Sequence, residues 1–377
     1  MPLSQAGRAE RAAWLQLALT PGVGPLAARD LLEAFGLPEQ VLAASRSALA
    51  RVVGDRLATA IAGVDPQRDA LVQEALDWAQ QDQNHLVCLA DSDYPKLLLQ
   101  IGDPPPLLYL RGARQALEGP ALAIVGSRSA SQGGADTATA FAQSLAQAGL
   151  TIISGLAHGI DAAAHRGALL AKSSTVAVLG TGVDAPYPAQ NRALAETIVA
   201  NGGALLAEVP LGTGPRAANF PRRNRLIAGL SLGVLVVQAA LRSGSLITAR
   251  QAAEFGREVF AIPGSIHSPL ARGCHALLKQ GARLVEAASD VLDELPALPA
   301  GPHSAPMPQP ALSALPDPVL AAMAWDPVGL DTLASRLGAG PGDPVQPGAL
   351  LARLLALELE GAVEQLADGR YQRRAPL

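Results

Sequence analysis

Between Glu208 and Glu254 the chain carries six arginines (Arg216, Arg222, Arg223, Arg225, Arg242 and Arg250) and no acidic residue at all. Three of them fall in the stretch NFPRRNRLIAG at 219–229, beside Phe220 and Asn224. A guanidinium is permanently charged and offers a planar fork of donors, so arginines gathered on one surface hold anions by charge-assisted hydrogen bonds. The run therefore reads as an anion-binding surface on a chain whose formal charge is -4. The competing reading is a solvated helix face, since charge runs are often no more than that.

Two glycine-bearing loops offer the same chemistry. VGSRSASQGG at 125–134 and SGLAHGID at 154–161 each follow an apolar run and give way to a helical pattern. At such a junction free backbone amides converge with the positive end of the helix dipole, which suits phosphate oxygens. Arg128 stands in the first loop. The plainer alternative is that these glycines only permit tight turns.

Other arrangements are weaker. Gly229, Ser231 and Gly233 fit the G-x-S-x-G nucleophile elbow, but that motif needs a strand before the serine and a helix after it, and here the order is reversed. Gly180, Gly182 and Ala185 fit G-x-G-x-x-A, yet Pro186 and Pro188 make the next segment an irregular loop. A dinucleotide pyrophosphate needs a helix opening directly on the glycines, so NAD is not expected there, and no cofactor is expected elsewhere. His158, Asp161 and His165 share one helix face and could be drawn as metal ligands. With no fourth ligand evident, and with Asp161 where a carboxylate favours a helix's first turn, a capping or hydrogen-bonding Asp161 is the better reading.

The elements that must position these residues fall into three parts. Residues 1–82 read as short helices, with Pro21-Gly22-Val23-Gly24 forming a tight hairpin between the first two. PGVG followed by the next helix resembles a helix-hairpin-helix unit, and VVGDRLATAIAG reads as a weaker second copy. This predicts a small helical domain of the SAM or helix-hairpin-helix kind, either touching a DNA phosphate through its hairpin or serving as a structural cap. Residues 83–295 alternate apolar runs (121–127, 150–155, 175–180, 203–209, 233–239 and 258–264) with helical stretches. Continuous apolar strands joined by crossover helices give an α/β fold, a Rossmann-like doubly wound and mostly parallel sheet, whose ligands sit beyond the carboxyl ends of the strands. Residues 296–318 are proline-rich and read as a linker. Residues 319–377 carry three helices and a hairpin turning at Asp368-Gly369, a winged-helix-like domain. Its presumed recognition helix sets Arg353 against Glu358 and Glu360, which disfavours ordinary major-groove reading.

Composition narrows the class. No apolar run approaches the roughly 18 residues of a spanning helix, and the amino-terminal segment lacks a signal-like core, so a cytoplasmic protein away from membranes is expected. Cys88 and Cys274 match no metal spacing and read as packed thiols. Only three of the 29 basic residues are lysines.

Taken in order, the motifs resemble the DNA-processing protein A family (DprA, also called Smf). The matching positions begin with Gly126-Ser127-Arg128, then Ser154-Gly155, Ala157, Gly159-Ile160-Asp161, and Gly180, Gly182, Asp184, Tyr187-Pro188 and Asn191. They continue with Phe220-Pro221, Arg223-Asn224-Arg225 and Ile227, then Ser243-Gly244-Ser245 and Thr248-Ala249, and Gly256-Arg257 through Pro263-Gly264. The match covers roughly 90–290, and Cys274 and His275 stand where the family often has Ser or Thr and Asn. The resemblance implies a non-enzymatic homodimer that binds single-stranded DNA and loads the RecA recombinase on it during natural transformation. It implies DNA contact from Gly126, Ser127, Arg128, Ser154, Gly155, Gly159, Gly180, Gly182, Asn191, Arg222, Ser243, Gly244 and Thr248. Arg128, Arg223 and Arg225 would neutralise phosphates, Asn224 would bond backbone or loop, and Phe220 would stack a base or belong to the core. Asp161, Asp184 and Tyr187 would shape the loops.

The chief rival is a Rossmann-like nucleotide phosphoribohydrolase of the lysine-decarboxylase-like family, which would cleave a nucleoside monophosphate in the same pocket. That family uses P-G-G-x-G-T-x-x-E, whereas RSGSLITARQA stands here with no glutamate before Glu254. A transcription regulator is disfavoured by the acidic balance of the carboxyl-terminal part.

Overall fold

The computed structural model describes residues 5–295, 317–323, 327–338, 347–366 and 368–374. Its amino-terminal helices are α1 (Gln5–Leu19), α2 (Pro25–Phe35), α3 (Pro38–Ala43), α4 (Arg46–Ala62) and α5 (Pro66–Trp78). Their starts follow local chemistry. Asp65 accepts the amides of Gln67 and Arg68 ahead of α5, and Ser45 accepts that of Ala48 ahead of α4. Inside α4 the helix breaks at Gly54, whose φ of 79° is open to glycine at little cost. The stretch read as a weaker hairpin copy is therefore two short helices joined at one glycine.

The chain then enters β1 (Asn84–Cys88), α6 (Lys96–Leu99) and β2 (Leu107–Gly112) before the repeating βα units. These are β3 (Ala121–Val125), α7 (Gln132–Gln147), β4 (Thr151–Ser154), α8 (Ile160–Leu170), β5 (Thr175–Leu179), α9 (Arg192–Ala200) and β6 (Ala204–Ala207). There follow α10 (Asn219–Gly229), β7 (Gly233–Val236), α11 (Ser245–Glu254), β8 (Glu258–Ala261), α12 (Arg272–Lys279), β9 (Arg283–Leu284) and α13 (Ala288–Leu292). One sheet takes the order β1-β2-β6-β5-β4-β3-β7-β8-β9. All neighbours from β6 to β9 are parallel, and β1 and β2 add an antiparallel edge.

Both faces are covered, which is why the strands are apolar throughout. Ala123, Val125, Val178, Leu206, Val234 and Val236 face α6, α10 and α11 in one continuous core. Their neighbours divide the opposite face. Leu122, Ile124 and Leu235 pack under α7 and α8, while Tyr109, Leu179 and Leu205 pack with Trp14 and Leu76 of α1 and α5. Each Val or Leu so buried contributes about 1.5–3 kcal/mol. Because α1 and α5 share a core with the sheet, the amino-terminal helices are joined to it through apolar packing.

The order reverses direction at β3, which lies between β4 and β7. A crevice opens there at the carboxyl ends, because the two crossovers leave on opposite sides. At the carboxyl terminus α14 (Pro318–Met323), α15 (Leu330–Gly338) and α16 (Pro347–Leu359) pack with β10 (Val363–Gln365) and β11 (Tyr371–Arg373) around Met323, Leu333, Leu354 and Tyr371. Apart from Asp317 and Pro318, the proline-rich segment lies outside the described residues.

Candidate nucleic-acid interface

The crevice at the β3 and β7 ends holds a cavity of 600 Å³. Its walls come from the loop after β3 (Gly126, Ser127, Arg128), the loop after β7 (Arg242, Ser243, Gly244) and the first turns of α10 and α11, with Phe220 and Thr248. The loop after β3 is fastened to its neighbour strand. Ser127 donates its amide to the Gln238 carbonyl at 2.7 Å, and the Gln238 side chain exchanges hydrogen bonds with Ser131 at 2.9 and 3.1 Å. In the sequence the signal for Gln238 is a lone polar residue near the end of the apolar run GVLVVQA.

Phe220 is half-buried, and its ring has the exposed Tyr187 ring at 5.8 Å and the Arg128 guanidinium at 5.8 Å from its centroid. This leaves an aromatic and a cation side by side at the cavity, a cation–π pair open to solvent. Asn224 donates weakly to the Gly244 carbonyl at 3.4 Å, and the Ser243 and Ser245 hydroxyls pair at 2.7 Å. Arg128, Arg222 and Arg242 are exposed and form no ion pair among the described residues.

Arg223 and Arg225 differ from the sequence expectation. Both are buried, at 7% and 5% exposure. Nη1 of Arg223 donates to the carbonyl of Gly155 at 2.8 Å and to that of Val178. Arg225 is ion-paired with Glu208 and, at 3.0 Å, with Asp103. Their role as surface phosphate contacts is replaced by a structural one, because α10 turns Arg223 inward with Leu226, Ile227 and Leu230 at helical spacing. Burial pulls the Arg223 pKa down to about 10, against the favourable charge of Asp161.

Asp161 sits in the first turn of α8 and accepts the amides of Gly155 at 3.1 Å and Ala157 at 3.4 Å. Burial raises its pKa, opposed by Arg223 and these two amides. His165 is fully buried, and its Nδ1 meets Thr175 Oγ1 at 2.8 Å. Since that hydroxyl donates to the Ile152 carbonyl, the ring donates from Nδ1, and burial and then Arg223 push its pKa down to about 3. His158 is exposed, so the three residues do not converge, and no cluster able to hold a metal occurs among the described residues.

Several other expected contacts are parts of the scaffold. Ser154 donates to the Ile124 carbonyl and is fully buried, and buried Asn191 donates to the Leu156 carbonyl at 2.8 Å. Gly155 faces Arg223, so closely that a Cβ there would meet the guanidinium. Gly159 lies against the backbone of Ser127 and Arg128, and Gly180 against the Phe220 ring. Asp184 accepts the Gly212 amide at 2.9 Å and thereby ties down the loop holding Gly182. Thr248 is buried beneath the loop after β7. Arg242 is one of the six arginines of the acid-free run, and its place on the cavity wall distinguishes it from Arg216 and Arg250.

No helix among the described residues is long and apolar enough to cross a membrane. A sequence model of the family described as DNA recombination-mediator protein A matches residues 85–296, and one described as the DprA winged helix domain matches residues 303–369. Protein Smf of Escherichia coli (strain K12) is 43% identical over 309 residues, which are 80% of this chain and 81% of that protein. The crystal structure of DNA processing protein A from Streptococcus pneumoniae superposes with a TM-score of 0.66 at 37% identity, covering 75% of this chain and 96% of that one. DNA processing protein A from Helicobacter pylori, described for its single-stranded DNA binding mode, gives a TM-score of 0.50 at 30% identity, over 55% of this chain and 94% of that one.

Proposed function

The chain belongs to the DNA recombination-mediator protein A family, and on that premise we propose that it binds single-stranded DNA at the β3–β7 crevice, as a homodimer, and delivers the strand to the RecA recombinase. Its role is that of a recombination mediator in DNA processing. The observation that carries the DNA reading is that exposed Arg128 and Arg242 line one cavity with the half-buried Phe220 ring, the Arg128 guanidinium 5.8 Å from the ring centroid, with exposed Arg222 on the same turn of α10. Arginines track the phosphates while a ring stacks a base, and neither reads base edges. Single strands, whose bases are free to stack, therefore bind better than duplex of equal length.

A binding role without catalysis is supported by the carboxylates. The one acid on the cavity wall among the described residues is Asp161, buried and held by two amides, and Glu254 lies at the far end of α11 from the crevice. A general base needs reach to a substrate proton. Competition between single-stranded and duplex DNA in a gel-shift assay tests the proposal. Preference for the single strand supports it, and equal or tighter duplex binding overturns it. Release of free base from a nucleoside monophosphate, lost on Glu254→Gln, would favour a hydrolase instead.

A further inference from the structure

The loop between β5 and α9 carries Tyr187 to the wall of the crevice, and the residues around it fix its place. Pro186 and Pro188, on either side of it, are buried. Upstream, Asp184 accepts the Gly212 amide, and Gly182 donates its own amide to the Thr213 carbonyl at 3.0 Å. Downstream, the Asn191 side chain donates to the Leu156 carbonyl at 2.8 Å, and its backbone amide donates to the Pro188 carbonyl at 3.0 Å. The backbone is thus tied on both sides of Tyr187, and the two prolines remove further freedom.

The side chain is nevertheless turned outward. Tyr187 is 46% exposed, whereas the other three tyrosines, Tyr94, Tyr109 and Tyr371, are buried. Its hydroxyl makes no hydrogen bond among the described residues, so nothing in the fold accounts for a tyrosine at this point. A flat ring held in place on a tied loop offers contact area at little entropic cost, which is what a binding surface gains from tyrosine. Phe220, by contrast, is enclosed. The Arg128 guanidinium lies over its ring, the Tyr187 ring leans on it at 51°, and a Cβ on Gly180 would stand 3.0 Å from it. Its surface is given to these three neighbours, so it acts as a prop and leaves Tyr187 as the ring with an open face.

We propose that Tyr187 is the stacking platform of the crevice: an unpaired base lies on its outward face and the phosphate joined to that base meets Arg128, while Phe220 holds ring and guanidinium at a fixed separation. A ring and a cation packed on the same phenylalanine suit the two ends of one nucleotide. Every base has a π-face, so the contact is indifferent to sequence. A base inside a duplex has both faces covered by its neighbours, and the same contact therefore favours single strands. The proposal rests on the crevice being the single-stranded DNA site.

Fluorescence anisotropy with the full chain tests it, comparing oligo-dT of about 15 nucleotides with an abasic strand of equal length. Tyr187→Ala should weaken oligo-dT binding about tenfold, the order that stacking contributes per base. Binding of the abasic strand and the slope of log K against log salt should stay at the parent values, because the phosphate contacts are untouched. Tyr187→Phe and Tyr187→Trp should keep the parent affinity, and Tyr187→Leu, apolar but not flat, should lose as much as Tyr187→Ala. Since the side chain is exposed, thermal unfolding of all four should match the parent. An oligo-dT strand carrying iodouracil should photo-crosslink to the peptide that contains Tyr187. If the parent binds oligo-dT and loses affinity on Arg128→Ala, but Tyr187→Ala or Tyr187→Leu binds as the parent does, or the crosslink falls on Phe220, the proposal is overturned and the crevice reading stands. Equal loss of oligo-dT and the abasic strand in Tyr187→Ala overturns it too, since the damage then lies in the Arg128 contact. If the parent does not bind oligo-dT, the crevice reading itself falls and takes this one with it.

Discussion

Gly155 is held from both sides: its carbonyl accepts from Arg223 Nη1 at 2.8 Å, and its amide donates to the Asp161 carboxylate at 3.1 Å. This couples the end of β4 to α10 and α8 and uses a cation that the sequence offered as a ligand for phosphate. Arg223 and Arg222 are adjacent in the chain and opposite in role.

Arg223→Ala should therefore be read in stability. It leaves the buried Asp161 without its compensating charge and orphans two carbonyls, a loss of about 3 kcal/mol. Arg222→Ala should leave thermal unfolding at the parent value and lower single-stranded DNA affinity. Chemical denaturation of both variants checks the contrast, and equal stability would show that the Arg223 contacts carry no load.

The carboxyl-terminal domain docks through Glu364, which accepts the Gly133 amide at 3.2 Å in the first turn of α7, and through an Arg374–Asp136 ion pair. A carboxylate is favoured at that helix end. Glu364→Ala should speed hydrogen exchange at Gln132 and Gly133 and make the linker easier to cleave by protease. Burial raises the Glu364 pKa, so the contact should weaken as pH falls through that raised range. Exchange that does not respond to the substitution would contradict this docking.

His165 sets a pH limit on stability. It titrates at about 3 when folded, against an ordinary 6.5 when unfolded. Below about 6.5 the unfolded chain takes up a proton that the folded chain refuses, so stability falls with pH by up to about 1.4 kcal/mol per unit until about 3. His165→Gln should flatten this slope relative to the parent in denaturation at pH 6.5 to 4.5. Parallel slopes would show that His165 is not held neutral.

The six apolar runs were legible as strands because a sheet covered on both faces needs nothing but apolar side chains. The antiparallel edge was not: NHLVC and LLYLRG carry the same texture as buried helix segments, and only their pairing with each other and that of LLYLRG with β6 make them strands. Charge told where arginines gather but not which way each points. Arg223 shares the spacing of Leu226, Ile227 and Leu230, and Glu208, the acid bounding the run, is the partner of Arg225. Both facts depend on a helix phase and a strand end that the charge count ignores.

The most direct measurement is the salt dependence of single-stranded DNA binding by the parent and by a variant carrying Arg128→Ala, Arg222→Ala and Arg242→Ala together. Each phosphate neutralised on a single strand contributes about -0.7 to the slope of log K against log salt. Three free arginines predict a parent slope near -2 and a variant slope near zero, with the variant as stable as the parent. A variant that keeps the parent's slope and affinity would contradict the claim that the strand is held by Arg128 and Arg242 at the β3–β7 crevice and by Arg222 beside it on α10.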